Sequence, residues 1–186
     1  MARNAKTIDE AIDEVLDRYE DIIEDAMNVA ARATRKKVHK YALSCLQAYY
    51  DNYPQDGDEM SYQRTFYLHN AILPTSSKAR KNSKEVSVSV GVAYDPTVLD
   101  GVYDGSKKYG HPDGEWILDN YLKGIHPATN GSADPTKVKY YEIYDSDIGE
   151  KSPWDKMSTY LEKEVSSIFH SYLMTYFMKQ IVKQAK

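Results

Sequence analysis

At 186 residues, with 24 Lys and Arg against 28 Asp and Glu, the chain carries a formal net charge of -4 and lacks the basic excess of a general phosphate-backbone binder. Its length is that of one domain able to bury roughly 70% of its unfolded surface, so no disulfide or metal staple is required. No apolar run approaches the ~18 residues that cross a bilayer, and none follows a basic N-terminus, so neither a membrane span nor a signal peptide is expected and the chain is placed in a cytoplasm.

Every glycine and proline falls between Pro54 and Pro153. Two segments free of the strongest helix breakers therefore bracket a turn-rich middle. The sequence predicts an α+β fold in one domain over 1–186. Its parts are a long helix, bent or projecting, at 7–51, a sheet-and-loop body at 54–150 and a C-terminal helix at 153–184. The two helices are expected to pack on a small, mainly antiparallel sheet with a long ordered loop.

Thr7 to Glu10 has the T-x-x-E form of a capping box, which starts the first helix. Ile8, Ile12, Val15, Tyr19, Ile22, Met27 and Ala30 recur at near-helical spacing as its apolar stripe. Nine acidic residues between Asp9 and Asp25 precede Arg32, Arg35, Lys36, Lys37 and Lys40, an order that suits the dipole of one continuous helix. Such a helix would extend about 65 Å, well beyond the ~40 Å diameter of a compact domain. It must bend, with Thr34 to Lys40 the expected place, or project as an arm onto a neighbouring copy. Cys45, among Leu43, Leu46 and Tyr49, reads as a small buried thiol.

Pro54 closes the helix. Thr75 to Lys84 reads as a polar loop, and the alternation from Glu85 to Val92 marks a strand. Val138 to Tyr144 is a second strand. Between Asp95 and Pro135 lie six glycines and four prolines, too long a stretch for a simple connection, with a short helix expected at Glu115 to Lys123. Ser152-Pro153 supplies an N-cap and a first-turn proline for the last helix. Its apolar face runs through Met157, Leu161, Val165, Ile168, Phe169, Tyr172, Leu173, Tyr176, Phe177 and Ile181, and it is expected to be the main cover of the sheet.

Chemistry-bearing motifs are sparse. His39, His69, His111, His126 and His170 lack the i, i+4 pairing or cysteine partners of a helical metal site. His111-Pro112-Asp113 and Asp145-Ser146-Asp147 read as turns, and Asn130-Gly131-Ser132 as an idle glycosylation sequon in a turn. There is no G-x-S-x-G elbow, phosphate loop or dinucleotide fingerprint. No catalytic, cofactor-binding or metal residue is assigned. The 17 tyrosines against three phenylalanines suit either a core rim or a solvated interface.

The order of parts, with Tyr62 to Asn70 after the long helix, the valine strand ending in Gly91-Val92-Ala93-Tyr94, and Pro153-Trp154 opening the last helix, resembles tailed-bacteriophage neck, head–tail joining and tail-completion proteins. Arg64-Thr65 and Leu68 look like that family's turn, and Gly110-His111 and Gly124-Ile125-His126-Pro127 like its loop. Phe66 stands where the turn usually has glycine, Asn70-Ala71 replaces its closing serine region, and the loop is longer. The resemblance implies a non-enzymatic virion protein that forms a homo-oligomeric ring around the DNA channel. Its neighbours would be connector, portal-side or tail-tube proteins, and DNA would pass without specific binding. Arg64, Tyr67, Tyr109, His111 and Trp116 are the interface residues so implied. Two other readings stand beside it. One is a ligand-binding or hydrolytic domain with a pocket in 95–135 where His111, Asp113, Glu115 and Trp116 converge. The other is a helical adaptor of cellular origin.

Overall fold

The structure, a computed structural model, describes residues 8–52, 67–81, 85–99, 114–128, 139–142 and 151–184. Helix α1 (Ile8–Asp51) is one uninterrupted α-helix of 44 residues, or about 66 Å of rise. It starts where the sequence placed it and remains helical through Thr34 to Lys40. A short helix α2 (Tyr67–Ala71) leads directly into strand β1 (Ile72–Ser76). Strands β2 (Arg80–Lys81), β3 (Val86–Ser87) and β4 (Val90–Tyr94) follow, then a 3-10 turn at Pro96–Leu99. Helix α3 (Gly114–Lys123) matches the short helix expected there and precedes β5 (Ile125–Ala128) and β6 (Lys139–Glu142). Helices α4 (Pro153–Lys163) and α5 (Val165–Gln184) complete the order. The fold is α+β, as the sequence predicts. Among the described residues no helix is long and apolar enough to cross a membrane.

Three two-stranded antiparallel ladders are present among the described residues. β1 pairs with β4, Ile72 opposite Tyr94 and Ser76 opposite Val90; β2 pairs with β3, Arg80 opposite Ser87. The segment read as a polar loop at Thr75 to Lys84 is thus largely the outgoing arm of a hairpin, and the strand read as continuous from Glu85 to Val92 is its divided return. Ser77, Lys78 and Ala79 stand opposite only Val88 and Ser89, which makes a bulge. Ser77 N–H donates to Ser89 O (2.9 Å), and Ser89 N–H to Ser77 Oγ (2.9 Å). The Ala79 N–H, freed from the ladder, donates instead to Asn28 Oδ1 of α1 at 2.8 Å. The bulge therefore docks the hairpin on the helix. The other expected strand, Val138 to Tyr144, is β6, which pairs with β5.

The main core lies around the second half of α1. Val38, Ala42, Cys45, Leu46, Tyr49 and Tyr50 pack with Leu68, Ala71, Ile72, Leu99, Leu118, Tyr121 and Met157. Tyr121 meets Tyr49 edge to face at 5.1 Å and 88°, a favoured aromatic geometry. Tyr49 donates its hydroxyl to Ile125 O at 3.0 Å, and His39 Nε2–H donates to Ile72 O at 3.1 Å. Gly124, at φ 70°, ends α3 in a left-handed conformation that suits glycine, with its N–H on Tyr121 O at 3.0 Å. It turns the chain straight into β5.

Ser152 caps α4: its Oγ accepts from Asp155 N–H at 3.2 Å and donates to Asp155 Oδ2 at 2.8 Å. The single C-terminal helix expected from sequence is divided at Glu164, which keeps helical dihedrals and hydrogen bonds on both sides. α5 packs along α1, which is its principal partner in place of the sheet. Between Asp17 and Thr34 the buried positions of α1 are Ile22, Ala26, Ala30, Ala31 and Thr34. Tyr19, assigned to the apolar stripe, is exposed.

Candidate functional site

The side chains of α5 define the first candidate surface. Its sequence is apolar nearly all round, with Ile168, Phe169, Tyr172, Leu173, Met174, Tyr176, Phe177, Met178, Ile181 and Val182 in 20 residues. A helix of that kind is ordinarily buried on every side. Here Ile168, Phe169, Tyr172, Leu173, Tyr176, Phe177 and Ile181 are half-buried, whereas Met174, Met178 and Val182 are 45%, 50% and 53% exposed. Spaced four apart, those three form one ridge along the helix. The apolar face read from sequence omitted all three, because the covered face already satisfied a helical stripe.

A second feature lies on α1. Val29, Ala33 and Tyr172 floor an open groove of about 520 Å³ whose walls are Arg32, Arg35, Lys36, Lys37 and Lys40. The sequence assigned these cations to the helix dipole. The last turn of α1, however, holds no basic residue, and the dipole acts within about one turn of the end. The dipole leaves the cluster without a reason to be there.

A third feature is a tyrosine and thiol cluster of Tyr41, Cys45, Tyr94 and Tyr160. Tyr41 stacks on Tyr160 at 3.9 Å and 8°. Burial pushes the Cys45 thiol up, the Lys156 charge and a Tyr41 hydrogen bond opposing it only in part. Cys45 is therefore buried and protonated near neutral pH, the state of a structural thiol rather than a nucleophile. Burial, then the neighbouring Cys45, pushes Tyr94 up to about 12. Its hydroxyl is buried without a hydrogen-bond partner among the described residues. Burial is also the main cause of the raised Tyr41 and Tyr160 hydroxyls.

The residues nominated by resemblance are not brought together within the described part. Arg64, Tyr109 and His111 lie outside the described residues, as do Thr7, the 130–132 sequon, Asp113 and the Asp145 to Asp147 turn. Tyr67 opens α2. Trp116 is half-buried on α3, while the exposed tryptophan is Trp154 at 53%. Among the described residues no three His, Cys, Asp or Glu side chains are grouped to hold a metal. No protein-family model, curated protein or solved structure matches the chain.

Proposed function

We propose that this chain is a structural virion protein of a tailed phage, placed at the head–tail junction or the tail end, where copies assemble as a ring around the DNA channel. The observation that carries the assembly half of this reading is α5, whose Met174, Met178 and Val182 ridge is exposed on a helix apolar all round. Such a ridge suits burial against a neighbouring subunit, since contiguous exposed apolar surface marks interaction sites. The phage half rests on the resemblance in the order of parts: long charged helix, Tyr62 to Asn70, the valine strand ending in Gly91-Val92-Ala93-Tyr94, and a last helix opened by Pro153-Trp154. In this reading no residue has a catalytic role and no cofactor or metal is needed. The negative net charge suits a channel through which DNA slides without sticking.

The test is the native mass of the full chain over a wide concentration range, followed by negative-stain imaging of the large species. Closed rings with a central channel are the expected result. Open fibres, or a strict monomer both alone and with isolated phage connector rings, would contradict the reading.

A further inference from the structure

Opposite charges sit on the two halves of α1. From Asp9 to Asp25 there are nine acids and one cation, Arg18; from Ala26 to Tyr50 there is no acid, and Arg32, Arg35, Lys36, Lys37 and Lys40 follow one another. Asp17, Asp21 and Asp25 are exposed, and so are Arg32, Lys36, Lys37 and Lys40. Within the described residues Glu20 is paired with Lys81, whereas Asp17, Asp21 and Asp25 have no cation partner and Arg32, Lys36 and Lys40 no carboxylate. Hydrogen bonding to Glu20, and then the nearby Asp17 and Asp21 charges, hold the Lys81 ammonium above its usual range, while its partial desolvation opposes them. The exposed cations of the basic block thus have no carboxylate partner among the described residues, and Lys81 offsets the acidic block only in part.

The sign changes between Asn28 and Val29, and the charges are spaced evenly about that point. Laying a second α1 antiparallel about it sets Asp17 opposite Lys40, Asp21 opposite Lys36 and Asp25 opposite Arg32, while Glu20 keeps its partner Lys81. Val29, an apolar residue lining the groove, falls at the centre of the pair opposite Asn28. We propose that the basic groove on α1 receives the acidic half of α1 from a second copy, in an antiparallel two-fold pair centred between Asn28 and Val29.

A nucleic-acid backbone is the competing occupant for a basic groove. The basic stretch from Arg32 to Lys40 is only about 12 Å long, and Asp25 lies about 10 Å beyond Arg32. A duplex following the helix would run onto the acid block, whereas a second copy of the same helix meets complementary charge along its whole length. The inference takes self-association from the assembly reading, but a two-fold contact closes at two copies and uses a surface other than one that closes a ring. The two can therefore fail separately.

The experiment is sedimentation equilibrium on the full chain carrying Met174→Lys and Met178→Lys, which removes the α5 ridge and leaves α1 intact. A dimer that weakens with added salt is expected. Adding Arg32→Glu/Lys36→Glu, or Asp21→Lys/Asp25→Lys, should each weaken it at least about tenfold, and the chain with all four reversals should return to within about threefold. Circular dichroism and the urea midpoint confirm that each variant is folded, and Arg32→Gln/Lys36→Gln serves as the milder version if a reversal does not fold.

Reversals that dimerise unchanged while the unmodified protein still forms rings overturn the pair and leave the ring reading standing. An unmodified chain that is monomeric at all concentrations overturns both. A short DNA duplex bound by the chain, lost with Arg32→Glu/Lys36→Glu, together with self-association unaffected by Asp21→Lys/Asp25→Lys, assigns the groove to phosphate and overturns the pair.

Discussion

The two halves of α1 are finished differently. Around its second half, large side chains face inward: Tyr49, Leu46 and Val38 meet Ile72, Leu118, Tyr121 and Met157, all at most 6% exposed. Between Asp17 and Thr34 the buried positions are mostly small, Ala26, Ala30, Ala31 and Thr34 beside Ile22, and the large apolar side chains Tyr19, Met174, Met178 and Val182 face outward. The body satisfies itself within one chain. The arm made by the first half of α1, α5 and the hairpin keeps its large apolar surface for something else. Burying a Met or Val side chain is worth roughly 1.5–3 kcal/mol each, so the outward ridge is a substantial free energy that folding alone leaves unrealised.

That contrast can be broken at several points. The largest effect is expected in the body: Ile72→Ala, at 1% exposure, removes contacts in the centre of the core and should cost about 3 kcal/mol in urea unfolding. A loss below about 1 kcal/mol would mean that the body is not packed as described. Next, Asn28→Ala deprives the Ala79 N–H of its acceptor and should cost about 1 kcal/mol. Hydrogen exchange at Ala79 should then accelerate while Ile72 and Tyr94 stay protected.

Tyr94→Phe has the opposite sign, because it removes a buried hydroxyl with no partner among the described residues. It should raise stability by about 1 kcal/mol at neutral pH. Since the folded pKa of Tyr94 is raised to about 12 above an unfolded value of about 10, its neutral form contributes stability fully below pH ~10. That contribution is lost as pH rises through about 12. Unfolding midpoints measured between those limits should fall less steeply in the variant, and parallel curves would contradict the burial of this hydroxyl. The smallest effect belongs to the arm: Met174→Lys with Met178→Lys should leave monomer stability within about 0.5 kcal/mol, as for surface positions, while abolishing large assemblies.

The sequence was most legible where local chemistry decides. The absence of breakers before Pro54 set the span of α1, Ser152-Pro153 set the start of α4, and a short helix was expected at Glu115 to Lys123, where α3 lies. It was least legible where pairing is non-local. Residues 72–81 carry Pro74, three serines or threonines and two basic residues at the hairpin end, a loop-like composition. A strand with one partner in its ladder and half its side chains exposed tolerates all of these. The division at Glu164 has no glycine or proline to announce it.

Of the nominated interface residues, Trp116 was implied by the resemblance as part of a loop, and the structure half-buries it on α3. The ridge at Met174, Met178 and Val182 was present in the sequence as an excess of apolar positions over what one face needs. The charge register on α1 was also there, but it acquires meaning only once the helix is known to run unbroken through both blocks.

Methionine oxidation, mapped by mass spectrometry as a function of protein concentration, addresses the central claim most directly, because the chain carries its own reporters. Met157 is 2% exposed in the body, whereas Met174 and Met178 are 45% and 50% exposed on the arm. If the arm is an assembly surface, Met174 and Met178 oxidise readily in dilute protein and become protected as concentration rises, with Met157 protected throughout. Oxidation of Met174 and Met178 at one undiminished rate from the dilute to the most concentrated sample would contradict it.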